Sequence, residues 1–161
     1  MSVFKTTFTR SLRAHPSDNA DIAYPNVAES GTNTTATASK LIDSAATFIT
    51  QNIKTGDVVH NDTAGTAATV VSVDSQTQLT LNANIFTSTA QAYVVYTMSP
   101  QTSMGNPGCF LYVGGTGNVS VVTIGGDIIT FNGVPAGTTL PIQVLKLRST
   151  STTATLINAL W

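Results

Sequence analysis

The sequence predicts an all-β protein: an extended N-terminal arm followed by two small β-barrel or β-sandwich units. Three observations carry that expectation. Short apolar runs alternate with turn residues over most of the chain, most regularly over residues 109–161. Threonine supplies 28 of the 161 residues, and its branched Cβ suits a pleated strand while its hydroxyl keeps a surface hydrated without charge. A single stretch, LIDSAATFI at 41–49, has apolar spacing near a helical period. It is long enough only for one or two turns or a strand end, with Asp43 or Ser44 placed to cap it.

The elements follow in order. Residues 1–33 hold three of the seven basic residues (Lys5, Arg10 and Arg13), two prolines and no sustained apolar period, so they read as an arm. An arm this polar is expected to lie on something, either the chain's own other units or a neighbouring chain. Residues 34–98 read as a small β-barrel-like module. Gly56-Asp57 introduces Val58-Val59, and Asp62-Thr63-Ala64-Gly65 reads as a turn. Thr69, Val71 and Val73 alternate with Val70 and Ser72. The turn Asp74-Ser75-Gln76-Thr77, the strand Leu79-Thr80-Leu81 and a strand over 92–96 complete the module. Residues 99–108, with two prolines and two glycines, read as a linker.

The last unit, 109–161, is a β-sandwich module. Residues 119–124 and 128–131 read as strands joined by Gly125-Gly126, the pair that tolerates the positive φ of a two-residue hairpin. Pro135-Ala136-Gly137 supplies a turn. Leu140, Ile142 and Val144 share one face, but Leu145 and Leu147 take over on the other. That change of parity predicts a bulge near Val144 and Leu145, or a strand covered on both faces. The apolar stretch 156–161 is expected to be paired and buried.

VGGTGNV, ITFNGVPAGTTLPIQV and TTATLINALW, in that order within 109–161, resemble the carboxy-terminal module of tailed-bacteriophage virion proteins, notably the phage spike base protein family. LIDSAATF, GDVV and ATVVSVDSQTQLTL are similar to a module of phage structural proteins such as capsid cement or decoration proteins. The spike base family carries a Pro-Ser-Asp segment shortly before its carboxy-terminal module. Here Pro16-Ser17-Asp18 lies well upstream, in HPSDNADI. The resemblance therefore implies that residues 10–22 complete the 109–161 module and that 34–98 is an insertion. It further implies a virion structural protein, made in a host cytoplasm. The primary expectation is a capsid cement protein that binds the outer capsid surface as a homotrimer, with the major capsid protein as partner. The alternatives are a spike base or baseplate component of the tail and, from another class, a carbohydrate-binding module. The last is poorly supported, because aromatics are 7% of the chain and tryptophan occurs once, at Trp161.

Charge narrows the function classes. Only 9% of residues are charged, the net charge is −1, and no Asp, Glu, Lys or Arg occurs over 75–126. A long neutral stretch suits a surface that meets other subunits. No basic residue lies between Asp57 and Leu145, so the clustered Lys and Arg of nucleic-acid binding are lacking and no nucleic-acid partner is expected. No apolar run approaches a membrane span, and MSVFKTTFTRSLRAHP lacks the apolar stretch of a signal peptide. The expected partner contacts are Lys5, Arg10 and Arg13 toward an acidic patch, with Tyr24 and Trp161 as aromatic contacts.

No catalytic residues, cofactor or metal are expected. Turn aspartates such as Asp62, Asp74 and Asp127 read as bonding their own backbone. Asp57, His60 and Asp62 would meet at a metal only if a strand put His60 and Asp62 on one face, and a solvated turn is the favoured reading. His15 lies apart, in the arm. Cys109 reads as a small buried hydrophobe rather than a nucleophile, and VGGTGNV lacks the following helix that a phosphate loop needs.

Overall fold

A computed structural model describes residues 7–97 and 108–161. Its regular structure is strand throughout: β1 (Ser11–Arg13), β2 (Val27–Thr32), β3 (Lys40–Ile42), β4 (Val58–Asn61), β5 (Thr66–Ser75), β6 (Gln78–Leu81), β7 (Ala92–Tyr96), β8 (Cys109–Gly115), β9 (Gly117–Thr123), β10 (Ile128–Val134), β11 (Thr138–Leu147) and β12 (Thr155–Leu160). The chain is all-β, as the turn-punctuated apolar runs predicted. Two sheets form, ordered β2-β7-β4-β5-β6-β3 and β1-β12-β8-β11-β9-β10. They are called here the central and terminal sheets.

The central sheet wraps round its own core because β5 serves two partners. Its first half pairs with β4 (Thr66 with Asn61 through Thr69 with Val58) and its second with β6 (Val70 with Leu81 through Ser75 with Gln78). Register shifts between Val70 and Ser72 and between Val73 and Ser75 bend the strand. Val70 faces the core while Val71 is exposed. Leu41, Phe48, Val59, Leu79, Phe86, Tyr93 and Val95 fill the interior. Tyr93 brings a hydroxyl inside and donates it to Asp43 Oδ2 at 2.8 Å, so burial does not strand a polar group. The buried amides of Asn33 and Asn61 tie loops to this core. Asn61 Nδ2 donates to the Ile85 carbonyl, and its Oδ1 accepts the Ala64 N–H. The 41–49 segment is not helical: β3 ends at Ile42 and turns follow.

The terminal sheet repeats the device with β11. Thr138–Leu140 pair with β8, Val144–Leu147 pair with β9, and the register shifts between Leu140 and Val144 and between Val144 and Lys146. This is where the parity change placed a bulge. The bend folds the sheet round Leu111, Val113, Val119, Val121, Val144, Leu147, Ile157 and Ala159. Gly117 sits so close to the chain after β11 that an added Cβ would meet the backbone of Ala154. The β9–β10 hairpin differs from expectation. Gly126 N–H donates to the Thr123 carbonyl, Thr123 N–H to Asp127, and only Gly126 has positive φ (92°). The connection is therefore a three-residue loop of the type I turn plus bulge kind, not a two-residue hairpin.

The segment 7–33 is extended but is no separate arm. β1 pairs with β12 in the terminal sheet, and β2 pairs with β7 in the central one. The boundary expected at residue 33 falls inside structure, because both ends of the segment satisfy their backbone groups in a sheet. Between the strands, residues 14–26 form a strap against the terminal sheet. Ser17 N–H donates to the Leu147 carbonyl and Ile22 N–H to that of Leu145. Asp18 accepts from the Ser149 and Thr150 hydroxyls and the Thr150 N–H, with Arg148 Nε 3.6 Å away. An apolar joint of Ala20, Ala23, Val58, Ala67 and Tyr96, with Leu12 and Val94 beside it, fills the space between strap and central sheet. The expected linker lies outside the described residues except for Gly108.

Candidate functional site

Three places collect residues of functional interest, and the first is a cleft of about 780 Å³ between the two sheets. Its walls come from the end of β1 and the start of the strap (Arg13, His15), the end of β4 and the turn after it (His60, Asp62, Thr63), Tyr96 of β7, and Leu156 of β12. His60 is carried into the interior by the β4–β7 pairing, His60 opposite Val94, and is only 3% exposed. His15 Nε2 lies 3.0 Å from Asp62 Oδ1. The His15 and His60 rings meet edge to face with centroids 4.7 Å apart, and His60 meets Tyr96 at 4.8 Å.

Burial, reinforced by the neighbouring His15, pushes the His60 imidazole down to about 3, so the ring is neutral at physiological pH. Burial likewise raises the Tyr96 phenol. One ligand atom from each of His15, His60 and Asp62 falls within 4.8 Å of the others. On the cleft's far wall Leu156 holds a left-handed backbone (φ 53°) with its side chain 53% exposed, a strained state for a bulky residue.

The sequence placed Asp57 with His60 and Asp62, and the structure removes it from that group. Asp57 Oδ2 accepts the Lys54 N–H across its own turn, and His15 takes its place. His15 is 47 residues from Asp62 in the chain, so no local spacing rule would join them. Cys109 is buried, its thiol directed at the Val144 carbonyl and pushed up to about 12 by burial. It is therefore protonated and inert at neutral pH.

The second place unites three of the five residues expected to contact a partner. Arg10 lies over the Tyr24 ring at 5.4 Å, and Tyr24 meets Trp161 edge to face at 5.5 Å. Backbone hydrogen bonds between Arg10 and Trp161 extend the β1–β12 ladder and hold the cluster. Trp161 also packs on the terminal core, and its buried indole N–H has no acceptor among the described residues. Arg13 is apart from this cluster, in the cleft wall. Lys5 lies outside the described residues.

The third place is the β9–β10 hairpin. β10 is an edge strand. Ile128 (64% exposed) and Ile129 (41%) sit on opposite faces, with Ile124 in the loop also exposed. The hairpin tip thus stands clear of the core with apolar side chains on both sides, flanked by one charge, Asp127. The charge-free stretch 75–126 reaches the loop of this hairpin but stops before β10. What the sequence lacked was the fact that β10 has a partner on one side only.

No family model, no curated protein and no solved structure matches the chain.

Proposed function

We propose that this chain is a structural protein of a tailed-phage virion: a cement or decoration protein that sits on the outer capsid surface as a homotrimer and braces the major capsid protein. The observation that carries the reading is the β9–β10 edge, a strand paired on one side only, with isoleucines on both faces and a single carboxylate nearby. An exposed apolar edge is a template for pairing with another chain, and monomers seldom display one. The resemblance of residues 109–161 to phage virion modules supports a virion protein as that other chain. Contacts of modest strength, repeated in each trimer, add through effective concentration, so the shell is held without one strong site.

Capsid reconstitution tests the proposal. Purified chain should bind pre-formed capsids, and Ile128→Lys with Ile129→Lys should abolish both trimer formation and binding while circular dichroism stays unchanged. Undiminished binding by that variant would remove the edge from the mechanism. Deleting the whole arm is not a usable test, since residues 11–13 and 27–32 are sheet strands. The informative truncation stops before Thr7. The likeness of the terminal module to spike base proteins favours a second reading, a tail component. Copy number separates the two: hundreds per virion for the shell, a few to a dozen for the tail.

A further inference from the structure

The inter-sheet cleft carries an assignment that the assembly reading does not use. A buried polar ring normally has a hydrogen-bond partner. No hydrogen bond links the His60 side chain to another described residue, and its ring packs edge to face with those of His15 and Tyr96. It nevertheless sits in the wall of a cleft that also displays His15 and Asp62. Two imidazoles and one carboxylate are the donor set of a three-ligand zinc site with one position left for water. Oxygen-seeking calcium and magnesium would not choose it.

We propose that His15, His60 and Asp62 are the protein ligands of one zinc-class divalent ion, which pins the strap to the turn between β4 and β5. The three ligands reach the cleft from two different places. His15 rides on the strap immediately after β1, whereas His60 and Asp62 come from β4 and its following turn. The ligand atoms now lie within 4.8 Å of one another. A tetrahedral set at about 2.1 Å from the metal has its ligand atoms about 3.4 Å apart, so side-chain rotations of roughly 1 Å complete the site. Asp62 is half-exposed and heads an irregular turn, which gives it that freedom. In the metal-free protein the His15–Asp62 hydrogen bond holds the two nearest ligands together. The ion replaces that bond and takes up the lone pair of His60 as well. The fourth position opens on the cleft.

The chain contains two histidines and one cysteine, and the cysteine is buried in the terminal core. Any imidazole-ligated metal must therefore use His15, His60 or both, so no histidine elsewhere competes in untagged protein. Full-length chain, stripped with chelator, is titrated with Co²⁺ and followed by visible absorption. The expected result is one equivalent bound with the intense bands of four-coordinate cobalt, bleached by one equivalent of Zn²⁺. At about 100 times its dissociation constant, Zn²⁺ raises the melting temperature by about 5–10 °C. Asp62→Asn keeps an acceptor for the His15 hydrogen bond and so preserves the metal-free fold. It and His15→Ala each weaken binding by about 100-fold or more, since even second-shell partners contribute about 10- to 100-fold. No cobalt bands, a six-coordinate spectrum, or bands that persist in both variants would overturn the assignment and leave a plain His–Asp pair sealing the cleft.

Discussion

The central and terminal sheets solve the same geometrical problem with different materials. Each has six strands, and each is folded round its core by one ten-residue strand, β5 or β11, that pairs with different neighbours along its two halves. The central sheet fills its interior with Phe48, Phe86 and Tyr93. The terminal core is aliphatic, with Phe131 and Trp161 only at its margin. Exposed large apolar side chains follow the same division. Tyr112, Ile124, Ile128, Ile129 and Leu156 belong to the terminal sheet and its loops, against Val27, Ile49 and Val71 on the central one. Large aromatic rings let a small module bury enough surface to stand alone. A module built from Val, Leu and Ala leaves apolar surface outside, where a neighbour can cover it. The difference predicts that the central sheet is the more self-sufficient of the two.

Substitutions sharpen or break that division. The largest effect is expected from Phe48→Ala, which empties the central core at a cost of about 3–5 kcal/mol in chemical denaturation. Should Leu111→Ala in the terminal core cost clearly more, the ranking of the two modules is inverted. Gly117→Ala comes next, at about 1–3 kcal/mol, because the new Cβ must displace the Ala154 backbone. The lone Trp161 reports locally on the terminal sheet, so its fluorescence transition should shift at least as far as that of far-UV circular dichroism.

Acid separates the sheets differently. Hydrogen bonds from Ser149 and Thr150, with Arg148 nearby, hold the Asp18 carboxyl below the usual carboxylate range. Lys40 first, then Gln78, Ser72 and Thr80, hold that of Asp74 further below. A depressed carboxylate stabilises the fold fully above its unfolded value, and the contribution is lost as pH falls through the folded one. Asp18→Asn should therefore lower stability near neutral pH and flatten the acid limb of the Trp161 signal below about pH 4, since the stabilisation that acid removes from the parent protein is already missing. Asp74→Asn should flatten the acid limb of the central sheet instead, and an equal effect of both on Trp161 would mean that the two sheets unfold as one. Smallest is Leu156→Asn. It removes a bulky residue from left-handed backbone and should raise stability by about 0.5–1 kcal/mol. A loss would show that its side chain is held by contacts that outweigh the strain.

Much of the architecture was legible in the residues. The turns at Asp62–Gly65 and Pro135–Gly137, the strand over 92–96 and the irregularity at Val144 all followed from turn chemistry and period-2 alternation, which are local properties. The turn expected over 74–77 is confined to Gln76-Thr77, because Asp74 and Ser75 belong to β5. The candidate site was legible only in halves. His60 and Asp62 are neighbours in the chain, but His15 reaches them through the path of the strap, which is fixed by its bonds to Leu145, Leu147, Ser149 and Thr150. Arg10, Tyr24 and Trp161 were each chosen separately, and it is the β1–β12 pairing that makes them one cluster.

The sequence by itself determined the all-β class, most of the turns and the sparse charge, because each depends on residues within a few positions of one another. The tertiary structure alone decided where residues 7–33 belong, which strand is left at the edge, and that two histidines and an aspartate face one cleft. Those facts depend on pairings across more than a hundred residues, such as β1 with β12. Such pairings are selected by the burial of whole faces rather than by any local pattern.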